Sequence, residues 1–157
     1  MKFSKVNFFS ATLTVPDWFA PLFPLDLPVD KWPSYCGAGS GFGDAIVPEY
    51  IRGVCLSPAC LIHDIEWSTC DRTFKAFIAS NLRFYGNCLA LVRASGKPRL
   101  KQALSALRCT LYFASVSTVG VYFFLAGEDY GELSKDPIEN PIVIEKLRRL
   151  SRAKLGI

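Results

Sequence analysis

Residues 57–94, SPACLIHDIEWSTCDRTFKAFIASNLRFYGNCLALVRA, decide the fold. Ser57-Pro58 reads as an N-cap followed by proline at the first helical position, which starts a helix running through His63 to about Trp67. Beyond a break near residues 68–72, capped by Asp71 or Thr69, the residues Phe74, Phe77, Ile78, Asn81, Phe84 and Cys88 recur at spacings of three and four. That period marks the inward face of a second helix, and Ser95-Gly96-Lys97-Pro98 ends it. Two helices joined by so short a turn form an antiparallel hairpin, which sets His63 opposite residues 77–81.

On the C-terminal side a third helix begins near Pro98. It is amphipathic at first and then carries no charge from Cys109 to Ala126, CTLYFASVSTVGVYFFLA, 18 positions at the lower limit for a membrane span. Serines, threonines and a glycine dilute this run. The hairpin also needs a cover for its apolar faces, so a buried third helix is the expectation. A polar segment, 127–140, leads to a short basic amphipathic helix after Asn140-Pro141, IVIEKLRRLSRAKL, suited to an anionic lipid surface or to a protein assembly partner.

On the N-terminal side, five prolines between residues 16 and 33 preclude a regular helix, and residues 1–33 read as an extended, Pro-rich arm packed over a core. The leading MKFSKVNFFSATLTV is broken by Asn7, Ser10 and Thr12, and no cleaved signal peptide is expected from it. The organisation is therefore mainly α: an arm over 1–33, a helical domain over 34–126, and a linker with a terminal helix over 127–157.

The chain has 157 residues, half of them apolar and 20% charged, which suits one folded domain. Its net charge of +4 is mild, and basic residues are not interleaved with aromatics in one patch, which argues against nucleic acid. Six cysteines without CxxC pairs and a single histidine exclude a zinc finger. Whether those cysteines are bridged or are buried thiols stays open on count alone.

His63, the single histidine, is followed at once by Asp64. Neighbours on a helix point about 100° apart, so one side chain can face a reacting atom while the other holds a metal beside it. Metallohydrolases built on several imidazoles are excluded by the histidine count, and a serine hydrolase lacks its G-x-S-x-G elbow. Upstream, SYCGAGSGFG over 34–43 holds four glycines in ten residues, a backbone able to curl and aim carbonyls at one point, as calcium demands.

Together YCGAG (35–39), VPEYIRGVCLSPACLIHD (47–64) and SNLRFYGN (80–87) resemble the secreted phospholipase A2 superfamily, in particular the compact phospholipase A2-like domains of bacterial and phage proteins. The resemblance spans Tyr35 to about Cys88, a third of the chain. It implies a calcium loop whose carbonyls at Tyr35, Gly37 and Gly39 act with Asp64 as metal ligands, and a disulfide from Cys36 to Cys60. It implies His63 as general base on a water attacking the sn-2 ester of a glycerophospholipid, with Ca2+ as cofactor and a phospholipid surface as partner. A secreted or virion-borne setting fits that family better than a cytoplasmic one.

Two positions depart from the family. Asn81 stands where the family's second helix supplies an aspartate to orient the histidine, with Asp71 as the alternative orienter. Trp67 stands where secreted members have a tyrosine, and reads as core packing. A catalytically weak scaffold that keeps the fold as part of a larger assembly is the reading that Asn81 favours. A third reading is a membrane-active chain that works through residues 109–126 without chemistry.

Overall fold

The helical hairpin forms because its two halves have complementary apolar faces and a turn too short for anything else. A computed structural model describes residues 1–36, 49–126 and 141–156. Helix α1, Ser57–Thr69, ends where the Cys70 N–H bonds the Glu66 carbonyl. Helix α2, Phe74–Ala94, is capped by Thr73, whose hydroxyl accepts from the Ala76 N–H at 3.2 Å. The cap is thus neither Asp71 nor Thr69; the side chain of Asp71 is exposed and its carbonyl accepts the Thr73 N–H, which leaves Thr73 in the extended conformation a cap needs. Likewise Ser57 lies inside α1 and its hydroxyl donates to the Glu49 carboxylate at 2.7 Å.

The N-terminal residues begin with a strand hairpin. Strands β1, Phe3–Phe8, and β2, Ala11–Pro16, pair antiparallel from Phe3 opposite Pro16 to Phe8 opposite Ala11. The alternation of Ala11, Leu13 and Val15, all buried, turns one face of β2 inward. Asn87 on α2 completes that strand's edge: its side-chain carbonyl accepts from the Thr14 N–H at 2.8 Å and its amide donates to the Thr14 carbonyl at 2.9 Å. A buried asparagine thereby satisfies backbone groups that a sheet edge would otherwise leave unpaired.

The proline-rich stretch that follows includes two 3-10 turns, Ala20–Leu22 and Val29–Lys31. It drives Phe19, Phe23, Leu27 and Trp32 into the core against Phe8, with edge-on ring contacts at 5.4 Å for Phe8–Trp32 and 5.7 Å for Phe8–Phe23. A second hairpin pairs β3, Tyr50–Ile51, with β4, Val54–Cys55. Its turn, Arg52-Gly53, has positive φ at both positions, 50° and 76°, the conformation that makes glycine the suitable second residue.

Helix α3, Arg99–Ala126, packs along α2 through Ser105, Cys109, Tyr112 and Phe124. A wholly buried third helix is not what forms. The opposite side, with Leu100, Leu107, Leu111, Val119, Tyr122 and Leu125, is exposed, and only 17% of the apolar window between Arg99 and Tyr122 is buried. Helix α4, Pro141–Leu155, crosses α1 and buries Val143 and Leu150. The described residues are thus mainly helical with two small antiparallel sheets.

Candidate functional site

His63 sits midway along α1 on the side facing α2, and the turn at residues 70–73 sets the register between the two helices. His63 Nε2 lies 2.9 Å from Asn81 Oδ1, and the Asn81 amide donates to Ser117 Oγ on α3 at 3.3 Å. With the amide so employed, the Asn81 carbonyl accepts from Nε2–H, which leaves Nδ1 as the bare nitrogen of a neutral imidazole. Asp71 does not reach the ring; it stays at the turn.

The imidazole is sandwiched between aromatic rings, with Trp67 at 4.5 Å and Phe84 at 4.7 Å between centroids. It is nearly closed to water, 7% exposed. Burial holds its pKa below the ordinary value, opposed by the charge of Asp64 and the bond to Asn81. A neutral base at neutral pH is the consequence.

Trp67 is packed as the sequence suggests, and its placement is tightly controlled. Its indole N–H donates to Ser80 Oγ at 2.8 Å, and its ring meets Phe77 and Phe124. Gly120 on α3 lies under it, where a Cβ would come within 2.7 Å of the ring edge. Glycine at this helical position is what lets α3 approach the histidine's neighbours.

One turn of chemistry further out, Asp64 points away from Asn81 and toward α4. Its carboxylate pairs with Lys146 Nζ at 2.5 Å, with side-chain exposures of 28% and 16%. The Lys146 carbonyl accepts from the Tyr35 hydroxyl at 3.0 Å, and Lys146 and Arg149 flank the Tyr35 ring at 5.2 and 4.9 Å. Arg149 also donates to the Ser34 carbonyl at 2.7 Å, and Lys154 pairs with Asp26 at 2.8 Å. Lys146, Arg149 and Lys154 of the basic terminal helix are therefore engaged with the chain itself.

A disulfide joins Cys36 to Cys60, tying the residue after Tyr35 to the first turn of α1. The other cysteines, Cys55, Cys70, Cys88 and Cys109, are buried thiols. Gly37 and Gly39, expected as ligands in the glycine loop, lie outside the described residues.

Asp64 could offer a carboxylate to a hard cation, and Lys146 already pairs with it. The disulfide keeps the Tyr35 backbone on the same side of α1. Among the described residues no three His, Cys, Asp or Glu side chains converge, so such a cation would draw most of its ligands from backbone oxygens. Beside the histidine, Glu66 is buried and paired with Arg83 of α2, which in turn lies over Phe3 at 4.0 Å. Burial pushes Glu66 up and the guanidinium opposes it; the pair pins α1, α2 and β1 together.

Lys146, Ser117 and Gly120 escape a reading of the sequence. Gly120 alone carries a local signal, a glycine inside an apolar helix, which marks a close approach. Comparison with protein-family models, with curated proteins and with solved structures gives no match.

Proposed function

We propose that the chain is a calcium-dependent lipid hydrolase of the phospholipase A2 type, cleaving the sn-2 ester of glycerophospholipids with His63 as general base. One observation carries the reading: a single buried neutral histidine whose far nitrogen is held by Asn81, with a carboxylate on the next residue paired to Lys146, whose carbonyl bonds Tyr35 of the disulfide-anchored segment. The chemistry follows from these residues. Asn81 holds Nε2–H and so fixes the ring with Nδ1 free to take a proton from water. Trp67 and Phe84 keep the imidazole neutral and stop it from turning.

Asp64, with backbone oxygens of Tyr35, Gly37 and Gly39, would hold calcium, which when bound supplies Lewis-acid polarisation of an ester carbonyl and charge for the phosphate. Lys146 pairs with the same carboxylate, so a cation held there would share it with the ammonium or displace it. As the proton reaches His63, the imidazolium gains only the dipole of Asn81, where an aspartate would bring a charge. Turnover is accordingly modest. The test is fatty-acid release from phospholipid vesicles with and without calcium, compared with His63→Ala.

A second reading is favoured by the same two residues. Asn81 brings no charge and Lys146 neutralises Asp64 internally, which is what a scaffold retained for binding within a larger assembly would show. Calcium binding without fatty-acid release would support it.

A further inference from the structure

Helix α3 has more apolar surface than the described residues cover. Leu100, Leu104, Leu107 and Leu111 recur at spacings of four, three and four, and Tyr122 and Leu125 continue the same side; all six are exposed, from 38% at Leu104 to 72% at Leu100. A row of this size on one side of a helix exceeds the scattered apolar residues of an ordinary surface. Leu104, Leu107 and Leu111 also wall a groove of about 410 Å³ against the β3–β4 hairpin.

The charges carried by α2 and α3 have one sign, with Glu49 and Asp30 the acids that come near Tyr50 on the groove's far wall. From Arg72 to Ala126 there are eight Lys and Arg residues and no Asp or Glu. Of these, Arg99, Lys101 and Arg108 are exposed along the helix, and Arg52 joins Arg108 in lining the groove. We propose that the outer face of α3 docks on an anionic lipid surface, its leucines entering the acyl boundary and its cations meeting the headgroups.

The structure argues against two other occupants. A second copy seated helix against helix would oppose the like charges of α3, which carries no acid of its own to offset them. A crossing of the bilayer would require α3 to leave α2, to which it is bonded by Tyr85–Thr110 at 2.9 Å and by Asn81–Ser117, with Tyr85 stacked on Phe113. Lying along the surface keeps all three. The inner side of the same helix touches Asn81 and Trp67, so contact with lipid is one residue layer from the histidine's supports. The inference does not need the hydrolase reading to hold.

The experiment is co-sedimentation of the full chain with vesicles of ether-linked phospholipids, either zwitterionic or one-quarter phosphatidylglycerol, in EDTA, so that neither hydrolysis nor calcium enters. Binding to the anionic vesicles is expected, falling with added salt and by about tenfold or more in the double variant Leu107→Glu/Leu111→Glu. Both leucines are exposed, and an unchanged circular dichroism spectrum verifies the fold. A charge-reversal variant, Arg52→Glu/Arg108→Glu, provides an independent arm and is expected to lose the anionic preference. The proposal is overturned if the chain ignores anionic vesicles, if the leucine variant binds as well as the parent, or if sedimentation shows a dimer that the leucine variant abolishes without any vesicle binding.

Discussion

If Asp64 holds calcium as proposed, replacing Lys146 by alanine should tighten calcium binding, because the ammonium competes for the same carboxylate. The pair is 2.5 Å apart and neither partner is fully exposed, 16% for Lys146 and 28% for Asp64. Such a pair attracts by about 1.7 kcal/mol in water and about 7 kcal/mol at the effective dielectric of a protein surface. Dehydration of the ammonium and the ordering of its long side chain remove much of this, which leaves about 1–2 kcal/mol to be overcome by an incoming cation. At about 1.4 kcal/mol per decade, Lys146→Ala is expected to lower the calcium Kd by roughly 5- to 30-fold. The Tyr35 hydroxyl bonds the Lys146 backbone carbonyl, which alanine retains, so the strap itself should persist. Isothermal titration with calcium chloride in the absence of lipid reads the effect, with Lys146→Arg as a variant that keeps the competitor and Asp64→Asn as one that removes the ligand. An unchanged or weaker affinity in Lys146→Ala, with its melting temperature intact, would refute the competition.

Asn81→Asp should place a charge beside His63 and raise the hydrolysis rate by about 10- to 100-fold, since the opposite change costs about 10⁴ in a serine protease; a rate that falls in a folded variant contradicts the orienting role. Gly120→Ala should destabilise by about 1–2 kcal/mol, or roughly 2–8 °C in Tm, because the Trp67 ring above it is held by Ser80 and has no room to move. Serine at Cys60 should cost about 3.5 kcal/mol through the loop closed by a bridge of sequence separation 24, and reducing agent should have the same effect on the parent chain alone. Burial depresses the His63 pKa, so the unfolded chain takes up that proton first; the stability due to neutral His63 is present above about pH 6.5 and is lost as pH falls below it. Denaturant unfolding in EDTA at pH 7.5 and 5.5 should show this loss in the parent and a smaller one in His63→Gln; equal losses would reject burial as the cause.

The helices were legible because their signals are local. Ser57-Pro58, the run from Phe74 to Cys88 and the stop at Ser95-Gly96-Lys97-Pro98 each lie within one element, and the observed boundaries fall within a few residues of those signals. The opposition of His63 and Asn81 follows from the same information, since two helices and a short turn leave one register that buries both faces. The β1–β2 hairpin was harder. Its turn, Phe9-Ser10, has neither glycine nor asparagine although Phe9 takes a φ of 50°, so the usual hairpin signature is missing. Thr73 replaced Asp71 as cap for a reason of one or two residues, below the resolution of any propensity.

The contacts of Asp64 had no local trace. Lys146 is 82 residues away, across a segment whose composition says only that it is polar, and nothing in the pattern IVIEKLRRLSRAKL distinguishes an inward lysine from an outward one. The same is true of Ser117, one of several hydroxyls on α3. The exposed row on that helix illustrates the converse: apolar period identifies which residues share a face, but whether that face is covered depends on how much partner surface the rest of the chain supplies. Here α2 covers one side and nothing among the described residues covers the other.

The most direct test of the central claim is calcium-dependent release of the sn-2 fatty acid from phospholipid vesicles containing an anionic lipid. The parent chain should release fatty acid with calcium and not in EDTA, Asn81→Asp should release it faster, and His63→Ala should release none. A parent chain that binds calcium yet releases nothing, or one whose release survives His63→Ala, would contradict the assignment of His63 as the general base of a lipid hydrolase.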